Sequence, residues 1–306
     1  MVRKVSVVMV SVIALAVAAC GHQRQDAVVD VDTAIDAHAL AVSVDHTAQA
    51  ATARVHLHLT TSVTAPEGSK VPGGGSFDLT GDGAYDTSAG LSSLLIDMGS
   101  ALPGMTEEVI QHGDVTYLRV PILTTLAPSL AGKWLRVDRD QAATMGGASP
   151  STGPLGGSSG VGDPSAVLSY LKGAGAEVTT VGHDEVGGVH TTHVHATISV
   201  RQAIDASGVD RDKVEQSLRR MPGMSKQIES LTLPVEVFVD NDGYVRRIAI
   251  TYDATGVTMS LTLDYSAFGQ PVSITEPDEA DTADICDLYA GLPTHGLGSS
   301  LPAGVC

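Results

Sequence analysis

Two pairs of histidines, His56 with His58 and His193 with His195, are the residues best spaced for metal chemistry, and His190 lies near the second pair. Residues two apart on a strand project from the same face, so each pair offers two imidazoles side by side. On neighbouring strands the four nitrogens would approach a tetrahedral or tetragonal site. Both pairs also alternate with apolar residues, which equally fits the wet face of a sheet. No metal is assigned, and these four are the residues a metal would use. Three other strings look chemical but lack the right setting. Gly156-Gly157-Ser158-Ser159-Gly160 matches G-x-S-x-G, yet a nucleophile elbow needs a strand, a turn and a helix, and this one stands in a run of Gly, Ser and Pro. Ser169-Tyr170-Leu171-Lys172 matches S-x-x-K without its companion strings. Asp240-Asn241-Asp242-Gly243 begins like a calcium loop, but Thr251 stands at the twelfth position, where a Glu is required. With no nucleophile, general base or cofactor loop left, neither catalysis nor a cofactor is expected.

The cysteines point elsewhere. Arg3 and Lys4 precede an apolar run from Val5 to Ala19. That run is about fifteen residues, short of the roughly twenty that cross a bilayer, and has the proportions of a signal-peptide core. It ends Val17-Ala18-Ala19-Cys20-Gly21, which resembles the lipobox of bacterial lipoproteins. The resemblance implies a signal peptide over 1–19, diacylglycerol on the Cys20 sulfur, and a lipidated tether over 20–27. Two acyl chains hold a protein on a membrane where one binds only marginally. With Cys20 so used, Cys286 and Cys306 are left to pair, and an exported chain meets an oxidising space. Their loop of about twenty residues would constrain a C-terminal tail over 286–306 by roughly 3 kcal/mol. A redox-active pair is the sharper alternative, but no C-x-x-C is present.

Charge narrows the partners. The formal net charge of −17 becomes −19 once Arg3 and Lys4 leave with the signal. A surface so acidic, with no basic patch, repels phosphate backbones, so no nucleic acid is expected. It is equally unsuited to anionic headgroups, which makes a covalent anchor the means of holding the membrane. Removing residues 1–19 from 306 leaves 287, enough for one large core.

Most of the chain alternates with period two. Residues 28–50 are Ala-rich with apolar positions at Val31, Ile35, Ala39, Val42 and Ala50, which predicts a helix. In Ala51 to Val63, Val55, Leu57, Leu59 and Val63 face one way and Arg54, His56, His58 and Thr60 the other. Further strands are predicted around Phe77 to Tyr85, Ser92 to Met98, Glu107 to Gln111, Val115 to Val120 and Lys133 to Val137. A Gly/Ser/Pro loop over 145–162 follows, then a helix from Asp163. Val178 to Val186 and Val189 to Val200 form a hairpin across Gly187-Gly188, and two short helices, Arg201 to Ala206 and Asp210 to Met221, come next. Val235 to Val239, Tyr244 to Tyr252 and Val257 to Tyr265 alternate cleanly, the first two joined by the Asn/Asp/Gly turn at 240–243. Strands in series with few helices make this an α+β protein on one large antiparallel sheet. A long sheet with one apolar face can enclose a hydrophobic cavity, although the same residues would also make a solid core. By parity the lining would be Val55, Leu57 and Leu59, Ile248 and Ile250, and Leu261 and Leu263.

Three groups of residues carry a family resemblance. The first is Gly132-Lys133-Trp134-Leu135-Arg136-Val137-Asp138, with Asp163-Pro164 and Val167-Leu168-Ser169-Tyr170-Leu171. The second is Leu233-Pro234-Val235-Glu236-Val237-Phe238-Val239-Asp240 with Asp242-Gly243-Tyr244-Val245-Arg246-Arg247. The third is Leu263-Asp264-Tyr265-Ser266-Ala267-Phe268-Gly269-Gln270-Pro271-Val272 followed by Pro277. With the lipobox, these resemble the LppX/LprAFG lipoproteins of mycobacteria and other actinobacteria over a domain at 28–285. Phe238 stands where a Trp is common, and neither the 145–162 loop nor the Cys286/Cys306 tail belongs to the pattern. The resemblance implies a curved half-barrel with helices on its concave face, similar to LolA and LolB. It further implies an acylated lipid or lipoglycan as ligand, an envelope transporter as partner, and a place on the extracytoplasmic face of the cell membrane. A monomer is expected. The alternatives are a lipid-anchored sensor or scaffold without cargo and, behind it, a metal-binding lipoprotein using the histidine pairs.

Overall fold

The computed structural model describes residues 34–63, 75–100, 102–121, 127–138, 141, 171, 177–199, 232–254 and 257–291. The signal segment, Cys20, the G-x-S-x-G string, Ser169 and Lys172, the 145–162 loop, the helices expected from Asp163 and across 201–221, and Cys306 lie outside them.

The first element is helix α1 (Ala37–Ala48). Asp36 starts it, with Oδ1 accepting from the Ala39 N–H at 2.8 Å and satisfying one of the donors every helix start leaves unpaired. Its buried residues are Leu40, Ser43, Val44 and Thr47, spaced along one stripe. The other expected apolar markers inside it, Ala39 and Val42, sit only half-buried beside that stripe.

Twelve strands follow: β1 (Thr52–Val63), β2 (Gly75–Asp86), β3 (Leu91–Asp97), β4 (Thr106–His112), β5 (Val115–Arg119), β6 (Trp134–Asp138), β7 (Val178–Val186), β8 (Val189–Ser199), β9 (Thr232–Asp240), β10 (Val245–Ala254), β11 (Val257–Ser266) and β12 (Thr282–Asp284). They form one open sheet in the order β12-β6-β5-β4-β3-β2-β1-β11-β10-β9-β8-β7. Every pairing is antiparallel except β12 on β6. The single large sheet expected of an α+β chain is therefore present. Hairpin chemistry sets its register. Gly187 and Gly188 both have positive φ, 59° and 82°, as a two-residue turn matching strand twist requires. At the β9–β10 turn the buried Asp240 carboxylate accepts from the Asp242 and Tyr244 N–H groups at 3.0 and 2.8 Å, and Gly243 supplies φ 83°. The string that began like a calcium loop is this turn.

After β11 the chain leaves the sheet and travels along it. Gly269 N–H donates to Thr52 O at 2.9 Å and Thr52 Oγ1 to Gln270 O at 2.6 Å. Glu276 then receives His112 Nδ1 at 2.9 Å and the Tyr117 hydroxyl. Lys133 Nζ reaches Ala280 O, and β12 pairs Thr282 with Trp134 and Ala283 with Leu135. Helix α2 (Ile285–Gly291) follows at once, so the boundary expected at 285/286 falls inside a helix. Ile285 is buried against Leu135 and Val137, with Leu288 beside them. Gln141 Nε2 reaches the Cys286 Sγ at 3.6 Å.

The main core lies between α1 and one sheet face. Val194, Val235, Val237, Val239 and Val245 have no exposed surface, and Val44 of α1 has none either. Burying each such side chain contributes about 1.5–3 kcal/mol before entropy is charged. One hydroxyl ties helix to sheet. Thr47 Oγ1 donates to Ser43 O at 2.7 Å and accepts from the Val245 N–H at 2.8 Å, while the Tyr85 hydroxyl donates to Thr47 O at 3.4 Å. Val245 stands where the β9–β10 register shifts, so its N–H finds a side chain in place of a ladder carbonyl. Thr47→Val keeps the shape and strands that N–H. It is expected to lower unfolding stability by about 1–3 kcal/mol in urea titrations, with Thr47→Ser near wild type; equal midpoints for the two variants would remove the tie.

Candidate functional site

Cross-strand register places the expected lining residues together. Leu57 pairs with Leu263, Leu263 with Ile248, Ile248 with Val237 and Val237 with Val194, a straight apolar row over β1, β11, β10, β9 and β8. One step along, Leu79, Leu59, Leu261, Ile250, Val235 and Ala196 form the next row. Val55, opposite Tyr265, begins a third. All seven lining residues therefore share one face of three adjacent strands and one hydrophobic cluster. Their burial is graded. Val55, Leu57, Ile248, Ile250 and Leu263 are buried, whereas Leu59, Leu261 and the neighbouring Leu79 and Tyr252 are only half-buried. The apolar face thus closes under α1 and loosens toward the ends of β1 and β10. At Val63 the exposure reaches 40%.

Polar residues occupy the reverse face, and they answer one another. His56 Nδ1 meets Asp82 Oδ1 at 2.9 Å, and His58 Nε2 meets Asp78 Oδ2 at 2.8 Å. Asp264, opposite His56, takes the Arg247 guanidinium in two hydrogen bonds of 2.5 and 2.7 Å. Arg247 lies 5.9 Å over the Phe238 ring, which stacks on His193 at 4.4 Å. Glu236 holds both His193 Nε2 and His195 Nδ1 at 2.7 Å. Phe238 is covered by this stack despite facing outward. His56, His58, Thr80, Arg247, Thr262 and Asp264 surround an open hollow of about 420 Å³ on this side.

The metal constellation is corrected here. The sheet order sets β11, β10 and β9 between β1 and β8, so the two histidine pairs are four strand steps apart, roughly 19 Å. Each imidazole already meets a carboxylate, and the described residues contain no group of three or more metal-ligating side chains placed to hold an ion. The pairs belong to the wet face. Sequence reasoning did not single out their acidic partners Asp78, Asp82 and Glu236, which lie on other strands and become visible only through register.

It also passed over Glu107. Parity with Val109 turns this residue inward, and it is 4% exposed on the apolar side of β4. Burial pushes its carboxyl above the usual glutamate range. Across the sheet, Tyr117 is raised by burial and by its bond to Glu276, and Glu276 is lowered by that same bond together with the one to His112.

Solved structures of similar shape exist. LprF from Mycobacterium bovis is 16% identical, with 79% of this chain and 96% of that one covered and a TM-score of 0.40. Lipoprotein LppX from Mycobacterium tuberculosis is 16% identical, with 78% and 99% covered and a TM-score of 0.43. A domain from Vibrio parahaemolyticus described as an outer membrane lipoprotein-sorting protein is 9% identical, with 80% and 95% covered and a TM-score of 0.32. No family model matches the chain, and no curated protein matches it by sequence. At such identities and TM-scores below 0.5, family membership does not follow from these likenesses.

The histidine pair on β8 generates a pH test. Desolvation raises the Glu236 carboxyl, but the hydrogen bonds from His195 and His193 outweigh it and leave the pKa below its ordinary 4.5. Its contribution to stability is present above 4.5 and is lost as pH falls through the lower folded value. Carboxyl-carbon NMR should find Glu236 titrating below 4.5, and the double variant H193A/H195A should move it upward. An unchanged titration in the variant would dissociate the histidines from the carboxylate.

Proposed function

We propose that this chain is a membrane-anchored lipoprotein of the LppX/LprAFG type. It binds an acylated lipid or lipoglycan against the apolar sheet face and carries or presents it at the cell envelope. The observation that supports this most is the graded face itself. Rows of Leu, Ile and Val run unbroken from the core into half-buried Leu59, Leu79 and Leu261, so apolar surface continues past the part that α1 covers. An aliphatic lining takes acyl chains in preference to flat or sugar-like ligands, and binding is driven by burial at roughly 25 cal/mol per Å² before association costs. No covalent chemistry is assigned to the protein. An envelope transporter is the partner that would supply or accept the cargo.

The reading is tested by native mass spectrometry of the Cys20→Ser chain from an actinobacterial host. Bound lipid is expected, and Leu261→Trp, which fills the half-buried part of the face, should cut occupancy severalfold while the thermal midpoint moves by only a few degrees. A clean apo mass, with no uptake of labelled lipid, would leave the sensor or scaffold reading in its place.

Placement at the membrane is proposed on Cys20 and its preceding apolar run. No helix of the described residues is long and apolar enough to cross a bilayer. Pairing of Cys286 with Cys306 is proposed with it. Both are read by one intact mass of membrane-extracted protein: residues 20–306 plus diacylglyceryl, less two hydrogens, with Cys20→Ser moving the chain to the soluble fraction. A free N-terminal thiol, or two reactive thiols in the folded protein, would sink the corresponding half.

A further inference from the structure

Strand β4 departs from its surroundings. On the apolar face its inward positions are Glu107, Val109 and Gln111, so a carboxyl stands in the row that carries Ile96 on β3 and Leu57 on β1. Glu107 is nine-tenths buried and has no hydrogen-bond partner among the described residues. Gln111 leaves its buried Oε1 without a donor, while its Nε2 reaches Gly113 O at 3.2 Å. Taking a carboxyl this far from water without a partner is unfavourable, so a fold gains nothing by keeping one there for its own sake.

The space around it is arranged by its neighbours. Ile96 of β3 pairs with Glu107, and the Leu94 and Ile96 side chains reach toward the glycines of β2. A Cβ at Gly81 would lie 3.3 Å from Leu94 Cδ1 and 3.6 Å from Ile96 Cγ1, and at Gly83 it would meet Leu94 Cδ1 at 3.0 Å. The glycines of β2 leave room for these side chains. Toward β5, Leu118 and Val120 share the same side. The inward residues facing Glu107 from β3, β5 and its own strand, namely Ile96, Leu118, Val120 and Val109, are all without charge or titration. The nearest ionic groups of these strands, Glu108 and Arg119, are bound to each other at 2.6 Å on the reverse face.

We propose that Glu107 is the polar contact of the lipid site, a buried carboxyl that accepts a hydrogen bond from the hydroxyl of an uncharged lipid headgroup and disfavours a phosphate. This rests on the carrier reading and adds the headgroup chemistry to it. A carboxyl accepts a hydrogen bond in either protonation state, which matches a hydroxyl donor. Among the described residues no cation stands beside it to offset an anionic group, and approach of a phosphate would set two acids against each other in a low-dielectric site. The raised proton affinity that burial confers keeps the acid form available at higher pH than an ordinary glutamate.

Three fluorescent probes with the same acyl chain test this in the Cys20→Ser protein: diacylglycerol, phosphatidic acid, and a pyrene-labelled alkane with no polar group. Glu107→Leu, which suits its apolar surroundings, should weaken diacylglycerol binding about tenfold and leave the alkane unchanged, while Glu107→Gln stays within twofold on both. Wild type should prefer diacylglycerol to phosphatidic acid, and that preference should shrink in Glu107→Leu. If Glu107→Leu binds diacylglycerol as wild type does while the alkane still binds both, the role of Glu107 is overturned and the carrier reading stands. If wild type takes up none of the three probes, the carrier reading falls and Glu107 falls with it.

Discussion

A twelve-stranded sheet that alternates apolar and polar residues presents one face that water does not tolerate, and everything else in this fold answers that demand. Among the described residues, α1 and Leu171 are what lies on that face away from the β6 edge, and a helix of twelve residues spans only about 18 Å. The helix is accordingly placed where burial is deepest, its stripe of Leu40, Val44 and Thr47 set over the valines of β8, β9 and β10. The single hydroxyl of Thr47, bridging a helix carbonyl and the irregular N–H of Val245, holds it there. Among the described residues, the same alternation continues away from α1 into the half-buried Leu59, Leu79 and Leu261.

The reverse face solves the opposite problem. Water would satisfy its groups individually, yet they answer one another over six strands: a carboxylate to an imidazole, a carboxylate to a guanidinium, a guanidinium over a ring, a ring on an imidazole. Exposed pairs of this kind contribute little each, and their value lies in fixing which residue stands opposite which. A one-residue slip would turn every leucine outward and every aspartate inward. Register is therefore written twice, once in aliphatic rows and once in charge.

Alternation made much of this legible in the sequence. Val55, Leu57 and Leu59 share a face because their spacing says so, and the turns at Gly187-Gly188 and Asp240 to Gly243 carried the residues their geometry demands. What the sequence left unreadable was adjacency. His56 and His193 look alike as members of spaced pairs, and only the strand order, with β11, β10 and β9 between them, separates their strands. Glu107 was hidden differently: in Thr-Glu-Glu-Val-Ile it reads as one acid of an exposed pair, and its inward direction depends on which neighbour joins the core. Thr282 to Asp284 is too short to show periodicity, and its pairing with β6 comes from the chain's long route past Glu276.

Ile35, just ahead of α1, exchanges hydrogen bonds with Thr180 Oγ1, N to O at 2.8 Å and O to O at 3.3 Å. Thr180 belongs to β7, the free edge of the sheet, where the register breaks between Thr180 and Gly182 and Val181 stands 58% exposed. At the far edge, β12 is three residues long and turns directly into a helix. An open sheet is a template on which another chain, or another copy, can add strands without limit. Here one border is interrupted by a bulge and touched by the incoming chain, and the other is cut short by the outgoing one. At high local concentration, that is protection against polymerising edge to edge.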